Sequence, residues 1–230
     1  MSVWNDCAYQ VCRHVAVGPA LRVWGRLRII GRHHVPKHGP VILAANHLAV
    51  VDSFYLALAA RRPVSFLAKH EYFDRPGLLG RLQRWFFSAV GQIPVNRQGG
   101  AAASPALAAA SRIIQSGGAW GIHPEGTRSP DGQLHRGRTG AVRVAAATGA
   151  QVIPVAITGT RRADVGRRGQ RVVVEFLGPL DMTVFIDAGH VDVRAATDAL
   201  MHAIGSRSGQ TYVDTYAVPT VRRPPSTTAS

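Results

Sequence analysis

Cysteine is almost absent from this chain of 230 residues: there are two, Cys7 and Cys12, close together near the N-terminus. Two thiols make neither a disulfide framework nor a four-ligand zinc site, so both read as ordinary apolar residues in a reducing compartment. Lysine is as scarce, with only Lys37 and Lys69. Acidic residues are few: 13 Asp and Glu stand against 27 Lys and Arg, a formal charge of +14. The excess is therefore nearly all arginine, the better planar, bidentate binder of phosphate. Such a balance suits an anionic partner, whether nucleic acid, an anionic membrane surface or a phosphorylated substrate. A GC-rich genome also raises Arg and Ala use without any function. No secretory signal is expected, because residues 1–12 lack a basic segment followed by an apolar core. The long uncharged stretch 144–160 contains Gly149 and Pro154, so it reads as a helix end, a turn and a strand rather than a membrane span.

What is present is enough apolar material for one core. Hydrophobic residues make up 46% of the chain, and its length suits a single α/β domain. Residues 3–30 have helical spacing: Trp4, Cys7/Ala8, Val11 and Val15, then Leu21, Trp24 and Leu27. Gly18-Pro19 divides them into two helices. Within the first 40 residues Arg13, Arg22, Arg26, Arg28, Arg32 and Lys37 face one acid, Asp6. Trp on one side and Arg on another fit an interfacial membrane anchor, and fit equally a helix pair capping the core. Beyond them, strands are expected at 41–45, 64–68, 91–95, 119–122, 152–157 and 171–178. Helices are expected at 51–60, around 77–88, and at 104–116, 139–148 and 191–205. Strands alternating with helices predict an α/β fold: a single domain with a mostly parallel central sheet flanked by helices, preceded by an N-terminal helix pair. The expected divisions are 1–30 for the helix pair, 31–218 for the domain and 219–230 for a disordered tail.

In open α/β sheets, sites gather outside the C-terminal strand ends. Four expected loops there carry unusual chemistry: Asn46-His47 with Asp52, Lys69-His70-Glu71, Val95-Asn96-Arg97, and His123-Pro-Glu-Gly-Thr-Arg-Ser129. Five residues on a helix turn side chains by about 500°, leaving His47 and Asp52 roughly 140° apart. They can meet only if His47 lies in the turn before the helix and Asp52 in its first turns, with Asn46 shaping that turn. An Asp bonded to one imidazole nitrogen fixes the tautomer and supports the charge when the other nitrogen takes a proton. That makes a base suited to a substrate hydroxyl, although a His that caps a helix would give the same short pattern. Gly126 lets backbone N–H groups approach an anion, and Thr127 and Arg128 add phosphate donors. With Arg97 and Lys69 they form a cationic cradle drawn from three loops.

"NHLAVVD", "GQIPVNR", "HPEGTRS" and "VIPVAI" resemble, in order and spacing, the four blocks of the glycerolipid acyltransferases. The run-in "RLRIIGRHHVPKHGPVILAANH" is similar to that of the lysophosphatidic acid acyltransferases, and the likeness covers about residues 25 to 180. His123 stands where that family commonly has Phe, Leu48-Ala49 where more polar residues are frequent, and Asn96 where Asp is common. The resemblance implies transfer of a fatty acyl group from acyl-CoA or acyl-carrier protein to the sn-2 hydroxyl of 1-acylglycerol 3-phosphate. It implies His47 and Asp52 as the catalytic pair, with Arg97, Thr127, Arg128 and Lys69 on the acceptor phosphate. Glu125 would bind the acceptor or position the block itself. It also implies no cofactor, no metal, and a peripheral enzyme on the cytoplasmic face of a membrane. Rival readings are another lyso-lipid acceptor, such as a lyso-ornithine lipid or lysophospholipid, and a basic nucleic-acid-binding protein. Against the last, no aromatic–basic interleaving is present, and nucleic acid is not expected as a partner. His33, His34 and His38 fall in a Gly/Pro-rich connection and read as a surface cluster rather than a metal site. The basic segment 161–171 reads as a loop between strands that is either solvated or set against anionic headgroups.

Overall fold

A computed structural model describes residues 17–60, 62–69, 77, 80, 92–95, 103–161, 171–187 and 189–218. The strands are β1 (Arg28–Ile30), β2 (Val41–Ala45), β3 (Val64–Lys69), β4 (Gln92–Val95), β5 (Ala119–Ile122), β6 (Leu134–His135), β7 (Gln151–Thr158), β8 (Val173–Phe176), β9 (Ile186–Asp187), β10 (His190–Val191) and β11 (Tyr212–Val213). The helices are α1 (Val17–Trp24), α2 (Asp52–Ala59), α3 (Ala103–Gln115), α4 (Gly140–Thr148) and α5 (Val193–Ser208). Seven strands form one sheet in the order β1-β8-β7-β2-β5-β3-β4. The five from β7 to β4 run parallel, while β8 pairs antiparallel with β7 and parallel with β1. The mostly parallel α/β sheet read from the sequence is thus the fold observed.

The centre of the sheet is buried on both faces, as a parallel sheet requires. All of β2 is buried. Its alternate side chains serve different cores: Val41, Leu43 and Ala45 one, Ile42 and Ala44 the other. Leu21 of α1 and Tyr55, Leu56 and Leu58 of α2 fill the first core. Ala110 and Ile114 of α3, Val144 of α4, and Leu200 and Ile204 of α5 fill the second. Helix ends follow local chemistry. Asp192 caps α5 by accepting from Arg194 N and Ala195 N, and Gly149 and Gly209 close α4 and α5 in the left-handed region.

The helical spacing of residues 3–30 is corrected at its C-terminal end. Pro19 sits in the first turn of α1, where its missing N–H is not needed. The helix ends at Trp24, however, although Leu27 continues the period. Arg26 adopts φ 45°, which breaks the helix, and Gly25 packs so closely that an added Cβ would lie 2.3 Å from Tyr55 Oη. Residues 28–30 then join the sheet edge instead, with Arg28 N donating to Val172 O at 2.9 Å. The expected helices before residue 17 and around 77–88, the tail from 219, and most of the basic segment 161–171 lie outside the described residues.

Connectivity places a crevice between β2 and β5. The chain leaves β2 through α2 toward β3, on one side, and leaves β5 through α4 toward β7, on the other. These two helices lie on opposite faces. Adjacent parallel strands whose connections diverge in this way form the topological switch point where ligands bind in open sheets. Asn46, just past β2, holds this edge together. Its amide accepts from Ile157 N at 2.7 Å and donates to Ile157 O at 2.8 Å, extending the β2–β7 ladder by a side chain. Asn46→Ala would leave both buried Ile157 groups unpaired. A loss of about 2–6 kcal/mol is expected from urea denaturation, since each orphaned buried group costs roughly 1–3 kcal/mol.

Candidate active site

Parallel β2, β3, β4 and β5 deliver their C-terminal ends to the same sheet edge. The loop after β2 carries His47, and α2 begins at Asp52, as the helical arithmetic requires. His47 Nδ1 lies 3.0 Å from Asp52 Oδ2. The same oxygen accepts from Leu48 N at 2.6 Å and Ala49 N at 2.7 Å. Because a carboxylate only accepts, Nδ1 carries the hydrogen and Nε2 keeps its lone pair. Asp52 is fully buried. Burial alone would raise its pKa, but the His47 hydrogen bond, the neighbouring imidazoles and the Ala49 N–H outweigh it and hold the carboxyl below its ordinary value. His47 itself keeps 17% of its side chain exposed, enough to meet a substrate.

The loop after β5 closes on this pair through Glu125, whose side chain is fully buried. Its Oε1 accepts from His47 N at 2.9 Å and its Oε2 from His135 N at 3.1 Å. Both oxygens are therefore turned to backbone, an arrangement that positions the loops. Burial pushes the Glu125 carboxyl up to about 7, against the lowering effect of those two N–H groups. Ser129 N donates to His47 O at 2.8 Å and draws the far end of the loop onto the same segment. Gly126, at φ 77°, takes a left-handed conformation that favours glycine, and a Cβ there would lie 2.7 Å from Arg138 Nε and displace that side chain.

Thr127 is half-buried and Arg128 exposed on this loop, beside the His47 segment. Lys69 is the last residue of β3, in register with Val95 of β4, so its backbone stands at the same edge. Arg97 lies outside the described residues. Three further residues belong to the site. His123 stacks on His47 with ring centroids 3.9 Å apart and planes 9° from parallel. Ser53 Oγ reaches His123 Nε2 at 3.0 Å. Arg138 donates its backbone N–H to Pro124 O and holds its guanidinium 5.2 Å from the Tyr216 ring. The His in place of Phe marked position 123 in the sequence. Nothing local to Ser53 or Arg138 did. Among the described residues, no group of three or more His, Cys, Asp or Glu side chains is placed to hold a metal ion.

The model of a protein family described as Acyltransferase matches residues 26–158. A 1-acyl-sn-glycerol-3-phosphate acyltransferase of Borreliella burgdorferi is 29% identical over 135 residues, 59% of this chain and 52% of that protein. The chloroplastic 1-acyl-sn-glycerol-3-phosphate acyltransferase LPAT1 of Arabidopsis thaliana is 30% identical over 136 residues, 59% of this chain and 36% of that one. The chain thus spans about half the length, or less, of these relatives. The crystal structure of the 1-acyl-sn-glycerophosphate acyltransferase PlsC of Thermotoga maritima superposes with a TM-score of 0.63 at 22% identity. That match covers 88% of this chain and 78% of that one, and it is a likeness of fold.

Glu125→Gln tests the clamp. One amide oxygen can replace one carboxylate oxygen, but the amide NH2 then faces a backbone N–H. A fall in melting temperature is expected at neutral pH. The pH dependence carries a sign: Glu125 rises from 4.5 to about 7 on folding, so its contribution to stability is present below about 4.5 and lost as pH rises through about 7. The difference in stability between wild type and Glu125→Gln should shrink as pH rises through that window, measured by denaturant titration at several pH values.

Proposed function

The chain belongs to the acyltransferase family whose model it matches over residues 26–158, and from that premise we propose that it acylates the sn-2 hydroxyl of 1-acylglycerol 3-phosphate, using acyl-CoA or acyl-carrier protein as donor and yielding phosphatidic acid. The observation that carries this reading is the His47–Asp52 pair, with Nδ1 committed to the carboxylate and Nε2 free at the strand edge. His47 Nε2 takes the acceptor's hydroxyl proton as its oxygen attacks the thioester carbonyl. Asp52 supports the imidazolium that forms. The tetrahedral intermediate collapses, the C–S bond breaks, and the departing thiolate recovers the proton from His47. No protein nucleophile and no cofactor enter the step.

Thr127 and Arg128 bind the acceptor phosphate, together with Arg97 and, more weakly, Lys69. Glu125 acts through the loops it joins rather than through the phosphate, because both of its oxygens are occupied by backbone N–H groups. The enzyme works as a peripheral protein on the cytoplasmic face of a membrane. The support is a surface beside α2: Val23 and Trp24 are 79% and 63% exposed, and Arg22, Arg26 and Arg28 are exposed around them. Apolar side chains ringed by arginines suit an anionic headgroup layer. No helix among the described residues is long and apolar enough to cross a membrane.

An acceptor screen with labelled acyl-CoA and acyl-carrier protein tests the assignment. His47→Ala should lose at least about 10²-fold in kcat, the lower end of general-base contributions. Near-normal transfer by that variant would overturn the mechanism. Arg128→Ala should raise the KM for 1-acylglycerol 3-phosphate more than that for the thioester. A lyso-lipid without a phosphomonoester that is acylated faster, and is indifferent to Arg128→Ala, would reassign the acceptor. Trp24→Ser should weaken sedimentation with anionic vesicles while leaving turnover of a short-chain, water-soluble acceptor unchanged.

A further inference from the structure

The ring of His123 is held on every side. Its Nδ1 lies 3.0 Å from both Ala45 O and Asn46 O, and its Nε2 lies 3.0 Å from Ser53 Oγ. Carbonyl oxygens only accept, so Nδ1 carries the hydrogen, and Nε2 accepts from the Ser53 hydroxyl. The plane of the ring is thereby fixed by the end of β2 and by the first turn of α2. These are the two segments that also hold His47 and Asp52. One face lies against His47, with centroids 3.9 Å apart and planes 9° from parallel, and Phe66 stacks at 6.2 Å.

We propose that His123 is a positioning residue for the acyl transfer described above: its flat face fixes the plane of the His47 imidazole so that Nε2 stays directed at the acceptor hydroxyl. Asp52 by itself leaves the ring free to swing about the Nδ1–Oδ2 line; a parallel plate at van der Waals distance removes that freedom. Burial and the facing His47 push His123 down to about 3, so the plate is neutral throughout the working range. A neutral π face against His47 favours the imidazolium of the transition state. Asp52 compensates the charge that His47 acquires, and Glu125 faces the His47 backbone N–H from the other side.

The inference rests on the proposed reaction, and the experiment separates the two. Wild type, His123→Phe, His123→Leu and His123→Met are compared in steady state with 1-acylglycerol 3-phosphate, together with their melting temperatures. Phe keeps a flat face and loses the hydrogen bonds; Leu and Met fill similar space without one. The expected result is kcat within about 3-fold of wild type for Phe and a loss of roughly 10-fold for Leu and Met, the scale of an aromatic contact plus a cation–π contact. KM for acceptor and thioester should not move. By NMR, the His47 Hε1 resonance should sit upfield, under the ring current, in wild type and His123→Phe, and move downfield in Leu or Met. An active wild type whose Phe and Leu variants share one kcat, or whose losses fall in KM or track melting temperature, overturns the positioning role alone. A wild type that acylates no lyso-lipid overturns the reaction reading and this role with it.

Discussion

One buried carboxylate holds the edge of the candidate site together. Glu125 gives one oxygen to the backbone of His47 and the other to that of His135, so the segment after β2 and the turn after β5 are tied through a single side chain. Taking a carboxylate out of water costs several kcal/mol unless its lone pairs are met. Two N–H groups meet them only in part, and the carboxyl accordingly rises to about 7. Everything around the site follows from this tether. With His47's backbone fixed, its imidazole can reach Asp52, and the Gly126 turn can present Thr127 and Arg128 beside it.

The second constraint is topological. Strand β2 lies between β7 and β5, and the connections that leave β2 and β5 diverge to opposite faces of the sheet. Asn46 completes the ladder to β7 with its own amide, while His123, one strand across, bonds to the carbonyls of Ala45 and Asn46. His47, the proposed base, is thus held two residues past a strand end by contacts to neighbouring strands. A general base needs that rigidity, because a small misplacement of the reacting atoms lowers the rate steeply.

Arginine surplus and apolar exposure meet on α1. Leu21 faces the core and Tyr55 Oη donates to Leu21 O, whereas Val23 and Trp24 face outward between arginines. Because α1 rests on α2, the helix that begins with Asp52, this surface adjoins the element that carries the candidate site's carboxylate.

Much of this was legible beforehand. Buried strands such as "VILAA" announce themselves by continuous apolar character, and the five mutually parallel strands from β7 to β4 all fall where strands are expected. The His47–Asp52 geometry followed from helical periodicity, since only a pre-helical His could reach an Asp five residues on. The strand at Arg28–Ile30 was not legible: its spacing continues a helix, and only the close contact of Gly25 with Tyr55 and the left-handed Arg26 show the break. The sequence by itself determined most of the strand–helix order, the residue types carried by each loop and the His47–Asp52 contact, because those depend on local periodicity and on residues a few positions apart. Only the tertiary structure decided that Glu125 faces backbone, that His123 lies flat on His47, and that Arg138 lies against Gly126. Each of those contacts joins segments separated by strand crossovers or turns, and their geometry is set by how the sheet brings the strand ends side by side.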